Sequence, residues 1–210
     1  MDISDLSGKR YEYFKKAVNL FARDSYELVS LDDIALAVGK KRTNFYSYFQ
    51  SKMEILDMMY EFFEYHFEDN RKTIEALRPI LERGTVLEII QSLNYQFPEG
   101  YRDVLRDILT VIHQRKYFDE KARKIAKELM IDEGIRYAQE VLNYAIQIGR
   151  LAPFNTYWLA LVINDTRNGE YMRATLDKDH DREAYIANEE TMIYQHAAAM
   201  IKDLRPPYSE

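Results

Sequence analysis

The sequence predicts an all-α protein of about nine helices. Three observations carry that reading. Apolar residues recur with helical periodicity, glycine and proline are scarce at seven and five in 210 residues, and helix-start signals precede several of the apolar runs. No stretch alternates with period two for long enough to argue a sheet, and neither an internal repeat nor a low-complexity tract interrupts the pattern.

Phe14, Ala17, Val18 and Phe21 mark one face of a first helix at i, i+3, i+4 and i+7. Ser30-Leu-Asp-Asp33 is a capping box with Asp where Glu or Gln is usual, and it opens a short second helix with Ile34, Ala35 and Val38 inward. Gly39 permits a tight turn, and a second short helix follows at about 42–48 with Phe45 and Phe49 as core. Ser51-Lys-Met-Glu54 is the fuller capping box. It predicts a long helix through Leu56, Tyr60, Phe63, Phe67 and Ile74, in a stretch ended by Pro79 and Gly84. Further helices are predicted at about 85–97, 100–115, 119–148, 156–168 and 183–204.

Composition bounds the function. Hydrophobic residues at 47% and charged residues at 30% describe an ordinary globular chain rather than a disordered one. The absence of cysteine excludes a disulfide scaffold, a thiolate metal site and a Cys nucleophile, and it fits a reducing cytoplasm. No secretory signal is visible at the N-terminus, and the longest apolar run, YWLALVI (157–163), is too short to span a bilayer. Charge is unevenly placed. Residues 1–52 hold 9 Lys+Arg against 7 Asp+Glu, whereas residues 53–210 hold 20 against 28. A basic head on an acidic body suggests that only the head meets a polyanion.

That bias concentrates in GKKRTNFYSYFQSK (39–52), which carries four cations, four aromatic rings and no acid. Taken alone, a Lys-Lys-Arg run is a solvated surface and a Tyr/Phe cluster is core. The flanking spacing changes the reading, because two short helices about Gly39 have helix-turn-helix geometry. The second can enter a DNA major groove N-terminus first, its leading residues reaching base edges. The candidate DNA-binding set is Lys40, Lys41, Arg42, Thr43, Asn44, Tyr46, Ser47, Tyr48 and Lys52. Within it Arg42 and Thr43 are assigned to base edges, and Lys41, Tyr46 and Lys52 to phosphates.

The run LVSLDDIALAVGKKRTNFYSYFQSKMEIL (28–56) resembles the DNA-binding domain of TetR-family transcriptional regulators. The matching residues are Ile34-Ala35, Gly39, Tyr46-Ser47-Tyr48-Phe49 and Ser51-Lys52, preceded by Ala17 and Phe21 of the first helix; the likeness spans roughly residues 10–60. Three positions depart from the family pattern. Ser25 stands where Gly ends the first helix, which implies a strained residue or a differently ended helix. Lys40-Lys41 replaces an apolar residue and a capping Ser, and Thr43 stands where Gly or Ala is common. The resemblance implies a helix-turn-helix domain over 1–52 and a helical effector-binding and dimerisation domain over 53–210. It also implies a cytoplasmic homodimeric regulator, a repressor on a pseudo-palindromic operator, released by a small-molecule effector. A reading from another class is a helical small-molecule-binding protein or enzyme whose basic N-terminal segment is incidental.

Catalytic and metal chemistry find no support. His66, His113, His180 and His196 fall on separate predicted elements, none three residues after a Glu. DKDHD (177–181) has EF-hand-like spacing, but Arg182 occupies the position needing Gly and Asn188 the one needing Glu. No catalytic residue, metal or cofactor is expected.

The aromatic face of the long helix, Tyr60, Phe63 and Phe67, has two readings, core or cavity wall. The resemblance places a ligand cavity beside that helix, with Tyr95, His113 and Tyr137 as candidate polar groups. YWLALVI is apolar all round and must be covered on more than one side. On the last helix, Ile186, Ile193, Ala197, Met200 and Leu204 form one face, and Tyr185, Asn188, Met192, Gln195, His196 and Ala199 a second. The expected dimer interface is Trp158, Tyr185, Asn188, Met192, His196 and Ala199.

Overall fold

The computed structural model of the chain describes residues 6–69, 71–93, 97–176 and 182–203. Among them the regular elements are helical, as expected: α1 (Gly8–Asp24), α2 (Leu31–Ala37), α3 (Arg42–Phe45), α4 (Lys52–Asp69), α5 (Ile74–Arg83), α6 (Val86–Ser92), α7 (Arg102–Arg115), α8 (Glu120–Lys124), α9 (Glu133–Gln147), α10 (Thr156–Leu176) and α11 (Arg182–Ala199). Extended pairing among the described residues is limited to one antiparallel bridge, Leu151 with Asp203. No described helix is long and apolar enough to cross a membrane.

The local start signals act as predicted. At α2, Ser30 Oγ accepts the Asp33 N–H at 3.2 Å while the Asp33 carboxylate takes the Ser30 N–H at 2.8 Å. At α4, Glu54 N–H donates to Ser51 Oγ at 3.0 Å, but the Glu54 carboxylate accepts from Gln50 N–H at 2.7 Å, one residue earlier than a standard box. The same reciprocal device, unforeseen in the sequence, opens α6 between Thr85 and Glu88.

Several boundaries differ from expectation. The long helix stops at Asp69 and Ile74 begins α5, because Thr73 Oγ caps a new start by accepting the Ala76 N–H at 3.2 Å. Pro79 therefore lies inside α5 rather than ending the preceding helix, while Gly84 is the C-cap of α5. The predicted helix at 119–148 is α-helical at both ends but π-helical over Ile125–Asp132, where wider turns rotate the following face. α10 continues to Leu176, and α11 ends at Ala199, so Met200 lies beyond it in a turn, 83% exposed. Leu204 and the DKDHD segment lie outside the described residues.

The chain forms two compact units, residues 1–70 with 96–129, and residues 71–95 with 130–210. In the first, α1 packs on α7, α2 and α4, and α4 packs on α7. Its interior is aromatic: Phe14, Phe21, Phe49 and Phe63 are all at most 1% exposed. Burial of each such ring removes on the order of 2–3 kcal/mol of unfavourable hydration. In the second, α10 packs on α9 and α11, α11 on α6, and α5 on α6 and α9. Its core is aliphatic, built on Leu77, Leu81, Ile89, Leu142 and Ile163. Close packing there has a sequence cause: a Cβ added at Gly134 would stand 2.8 Å from Asn164 Oδ1.

Candidate nucleic-acid interface

Gly39 adopts φ +66°, and the following Lys40 N–H returns to Ala35 O at 2.8 Å. A Cβ-bearing residue would be strained in that conformation, which accounts for glycine at the turn. The chain re-enters helix at Lys41, whose side chain makes no capping hydrogen bond. Phe45 and Phe49, their rings 5.6 Å apart, are buried and anchor one face of the segment. The opposite face is thereby committed to solvent: Lys40, Lys41, Arg42, Thr43, Asn44, Tyr46 and Ser47 are all exposed. Helix α3 is shorter than expected, with a turn through Tyr48 replacing its last residues.

Arg42 is the most constrained member of this set. Its Nη1 donates to Asp32 Oδ2 at 3.0 Å, and its Nε and Nη2 donate to Tyr46 Oη at 3.2 and 3.0 Å. The Tyr46 hydroxyl and then the Asp32 charge raise the guanidinium pKa above its usual value. The neighbouring Asp33 is used differently, its pKa lowered by the Ser30 hydroxyl and N–H. Ser47 Oγ donates to Asn44 O at 2.8 Å, and Thr43 Oγ1 lies 3.5 Å from Asn44 Oδ1. Tyr48 is half-buried, with its ring edge-on to Tyr13 at 4.8 Å.

Lys52 is not placed like the other cations. Its ammonium donates to the carbonyls of Tyr26, Val29 and Glu27 at 2.7, 3.0 and 3.4 Å. Burial lowers its pKa, an effect that Glu27 opposes and Arg115 reinforces. Lys52 thus ties the start of α4 to the turn between α1 and α2. Arg10 makes a second tie, reaching Tyr48 O at 3.3 Å and Glu54 Oε1 at 3.0 Å.

The α1–α2 turn holds the strain anticipated at Ser25, which has φ 74° and ψ 139°. Its Oγ donates to Glu27 Oε2 at 2.7 Å, and the Glu27 carboxylate pairs with Arg115 at the end of α7. Arg115 also donates to Asp119 Oδ2 at 3.2 Å, and Tyr60 Oη donates to the same oxygen at 3.1 Å. Burial pushes Asp119 up, but the Ala122 N–H, Arg115 and Tyr60 together hold its pKa below the usual carboxylate value. A continuous polar chain therefore runs within the first unit from Tyr60 on α4 through Asp119 and Arg115 to the turn preceding α2.

Of the candidate pocket residues, Tyr60 and Phe63 are buried in the first unit, and Phe63 contacts Phe67 at 5.6 Å and Phe97 at 6.3 Å between ring centres. His113 lies in the same unit, its Nδ1 3.3 Å from Lys116 Nζ, and burial followed by the Lys116 charge lowers its pKa to about 4. Tyr137 belongs to the second unit, with the Arg71 guanidinium 5.6 Å from its ring centre. Tyr95 lies outside the described residues. On the second unit a separate open groove of about 540 Å³ lies along the outer face of α9, lined by Ile74, Arg136, Glu140, Asn143 and Tyr144 among others.

The candidate dimer residues fall on the outer sides of α10 and α11. Trp158 and Val162 are 60% and 52% exposed, so YWLALVI is covered on one side only within the chain. Its inward residues are Ala160 and Ile163. On α11, Met192, His196 and Ala199 are exposed, whereas Tyr194 and Ala197 are buried. Met200 joins the exposed side, not the core face predicted for it. The side chains of Tyr185 and Asn188 lie outside those described.

Asp32, Arg10, Arg115 and Asp119 were not singled out by the sequence pattern. Their partners stand 10, 44, 88 and 59 residues away, beyond any helical repeat. The local signals are the four-residue spacing of Arg115 and Asp119, which pair at 3.2 Å, and Asp119 as the N-cap of α8 accepting the Ala122 N–H at 3.1 Å.

Residues 14–59 match the family model for bacterial regulatory proteins of the tetR family. A transcriptional regulator from Saccharomonospora viridis, solved in complex with choline, superposes with a TM-score of 0.64 at 14% identity, over 92% of this chain and 97% of that one. A TetR-family regulator from Mesorhizobium loti gives 0.57 at 13% identity over 92% and 96% of the two chains. PfmR from Thermus thermophilus, another TetR-family regulator, gives 0.55 at 17% identity over 87% and 97%. At these identities the likeness establishes the fold. No curated protein matches the sequence.

Proposed function

We propose that this chain, which carries the DNA-binding domain of the TetR family on a TetR-like fold, is a ligand-responsive repressor that binds operator DNA as a homodimer. One observation carries the reading. Lys40, Lys41, Arg42 and Thr43 form an exposed basic edge at the start of a helix that is pinned from behind by buried Phe45 and Phe49, immediately after a left-handed glycine turn. Arg42 and Thr43 lead into the major groove, while Lys40, Lys41 and the Tyr46 hydroxyl hold phosphates on either side. The division of labour follows, with DNA reading in residues 1–52 and effector binding and dimerisation in 53–210.

Dimerisation runs through the exposed sides of α10 and α11, where Trp158, Val162, Met172 and Met192 present apolar surface that a monomer leaves in water. Half-sites one turn of duplex apart require two recognition helices about 34–36 Å from each other. The effector acts by preferring a state with the heads wrongly placed, and it can do so only through differential affinity for the two states. The chain from Tyr60 through Asp119 and Arg115 to the α1–α2 turn supplies a physical link for that preference to reach the head. The protein acts in the cytoplasm, where chromosomal DNA is found.

The test is titration of the full-length protein into random-sequence duplex at low salt, followed by enrichment of tight binders from a random pool. Enrichment of a two-fold-related sequence is expected. Turnover of a substrate with no DNA affinity at low salt would overturn the reading.

A further inference from the structure

A carboxylate on the face offered to DNA needs a reason, because every phosphate repels it. Asp32 is such a carboxylate. It occupies the first turn of α2 and is 54% exposed at its side chain, and it takes no part in the cap, which Ser30 and Asp33 complete between themselves. Its hydrogen bond instead crosses to the recognition segment, from Arg42 Nη1 at 3.0 Å. On the other side of the guanidinium, Tyr46 Oη accepts from both Nε and Nη2, with the guanidinium carbon 5.5 Å from the Tyr46 ring centre.

A guanidinium has five N–H groups. These contacts use Nε–H and one N–H from each terminal nitrogen, so one N–H remains on each of Nη1 and Nη2. With Asp32 on the outer Nη1 proton, the two that remain are the parallel pair at the tip of the guanidinium, which suits the bidentate contact with guanine O6 and N7. The Tyr46 hydroxyl accepts two bonds here and still has its own proton to donate to a phosphate.

Resting on the DNA-binding reading above, we propose that Asp32 is a specificity-determining residue, which holds Arg42 for a guanine and penalises its diversion to phosphate. On a cognate site Arg42 reaches the base with its Asp32 pair intact. On random DNA the guanidinium gains most by turning to the backbone, and it must then leave Asp32 unpaired beside phosphates. The carboxylate therefore weakens the non-specific mode more than the specific one, a repulsive element that widens the difference between two affinities.

The experiment compares full-length wild type with Asp32→Asn by fluorescence anisotropy across a salt series, on a duplex enriched by the wild type and on random duplex. Asn keeps the size of the side chain, and the Ser30–Asp33 cap is untouched, so the thermal midpoint should hold. Random-duplex affinity should rise by up to about five-fold per head, the scale of one exposed charge pair. Its salt slope should steepen by about one per head as Arg42 joins the phosphate contacts. Affinity for the enriched duplex should stay level or fall, so the specificity ratio drops. In an Arg42→Ala background the same Asp32→Asn change should leave the ratio where it is, because the effect passes through Arg42. Equal gains on both duplexes would reduce Asp32 to a bystander charge and overturn the proposal. So would no change on either, or a ratio effect that survives without Arg42. Absence of DNA affinity in the wild type would instead remove the parent reading, and this one with it.

Discussion

The ammonium of Lys52 lies 2.7 Å from the carbonyl oxygen of Tyr26 and 4.2 Å from the centre of the same residue's ring. The Arg115 guanidinium lies 4.3 Å from that ring centre as well. Two cations from α4 and α7 thus converge on the turn that sets the angle between α1 and α2. With its three donors directed to backbone carbonyls, Lys52 is expected to brace the head rather than to contact phosphate. Lys52→Ala should therefore destabilise the protein by about 1–3 kcal/mol, the scale of hydrogen bonds made by a charged donor. The salt slope of DNA binding should not change. Lys41→Ala gives the contrast: stability is kept, and the slope flattens by about one per head. Urea titration and salt-dependent anisotropy on both variants separate the roles, and a flattened slope for Lys52→Ala would return it to the phosphate contacts.

Ser25 should respond to glycine. Its φ of 74° with ψ of 139° lies in a region that glycine enters at little cost and a Cβ-bearing residue does not. Ser25→Gly relieves strain of about 1 kcal/mol or somewhat more, set against loss of the exposed hydrogen bond to Glu27. The expected net is a rise in the urea midpoint at unchanged m-value. A fall would mean that the Ser25–Glu27 bond outweighs the backbone strain.

What the sequence made legible was local. The capping box at Ser30, the cap at Ser51, the glycine turn and the Phe45–Phe49 pair are all short-range patterns, and all occur in the structure, although the Glu54 carboxylate closes on Gln50 instead of Ser51. The helix break at 71–73 was missed because Tyr60, Phe63 and Phe67 run into Ile74 in helical register, while Thr73, the cap that divides them, is a single residue. The partners of Lys52 and Arg42 were illegible for a different reason. A cation in a basic segment suggests a polyanion, but whether its charge is free depends on a carbonyl 26 residues away or a carboxylate 10 residues away. Periodicity does not encode those partners. On α10 the sequence showed an apolar helix without saying which side its own chain would cover, and burial of Ala160 and Ile163 against exposure of Trp158 decides that.

His113 should make stability pH-dependent. Burial, with Lys116 beside it, lowers its pKa from 6.5 to about 4. The unfolded chain takes up this proton first as pH falls, so acid favours unfolding. Full stability is present above pH 6.5 and is lost progressively towards pH 4. Between pH 6.5 and 5 the loss should be about 2 kcal/mol. Urea unfolding of wild type and His113→Asn over that range checks it. A difference between the two that does not vary with pH would show that His113 titrates normally in the folded state.

Trp158 tests the dimer. It is the single tryptophan in the chain and is 60% exposed on α10, with Val162 one turn further along at 52%. If this surface is the two-fold contact, each protomer buries its tryptophan against the other, and dilution through the dissociation constant should shift the emission to longer wavelength. Trp158→Glu would place an unpaired carboxylate in the contact, at a cost of several kcal/mol per dimer. It should sediment as a 25.0 kDa monomer at micromolar concentration, with its helical signal retained because the side chain is exposed within the chain. DNA affinity should then fall far more on an enriched two-fold duplex than on a single half-site, since only the dimer spends both heads on one duplex. A Trp158→Glu variant that stays dimeric would put the two-fold elsewhere, and a wild type that is monomeric at micromolar concentration would overturn the dimer itself.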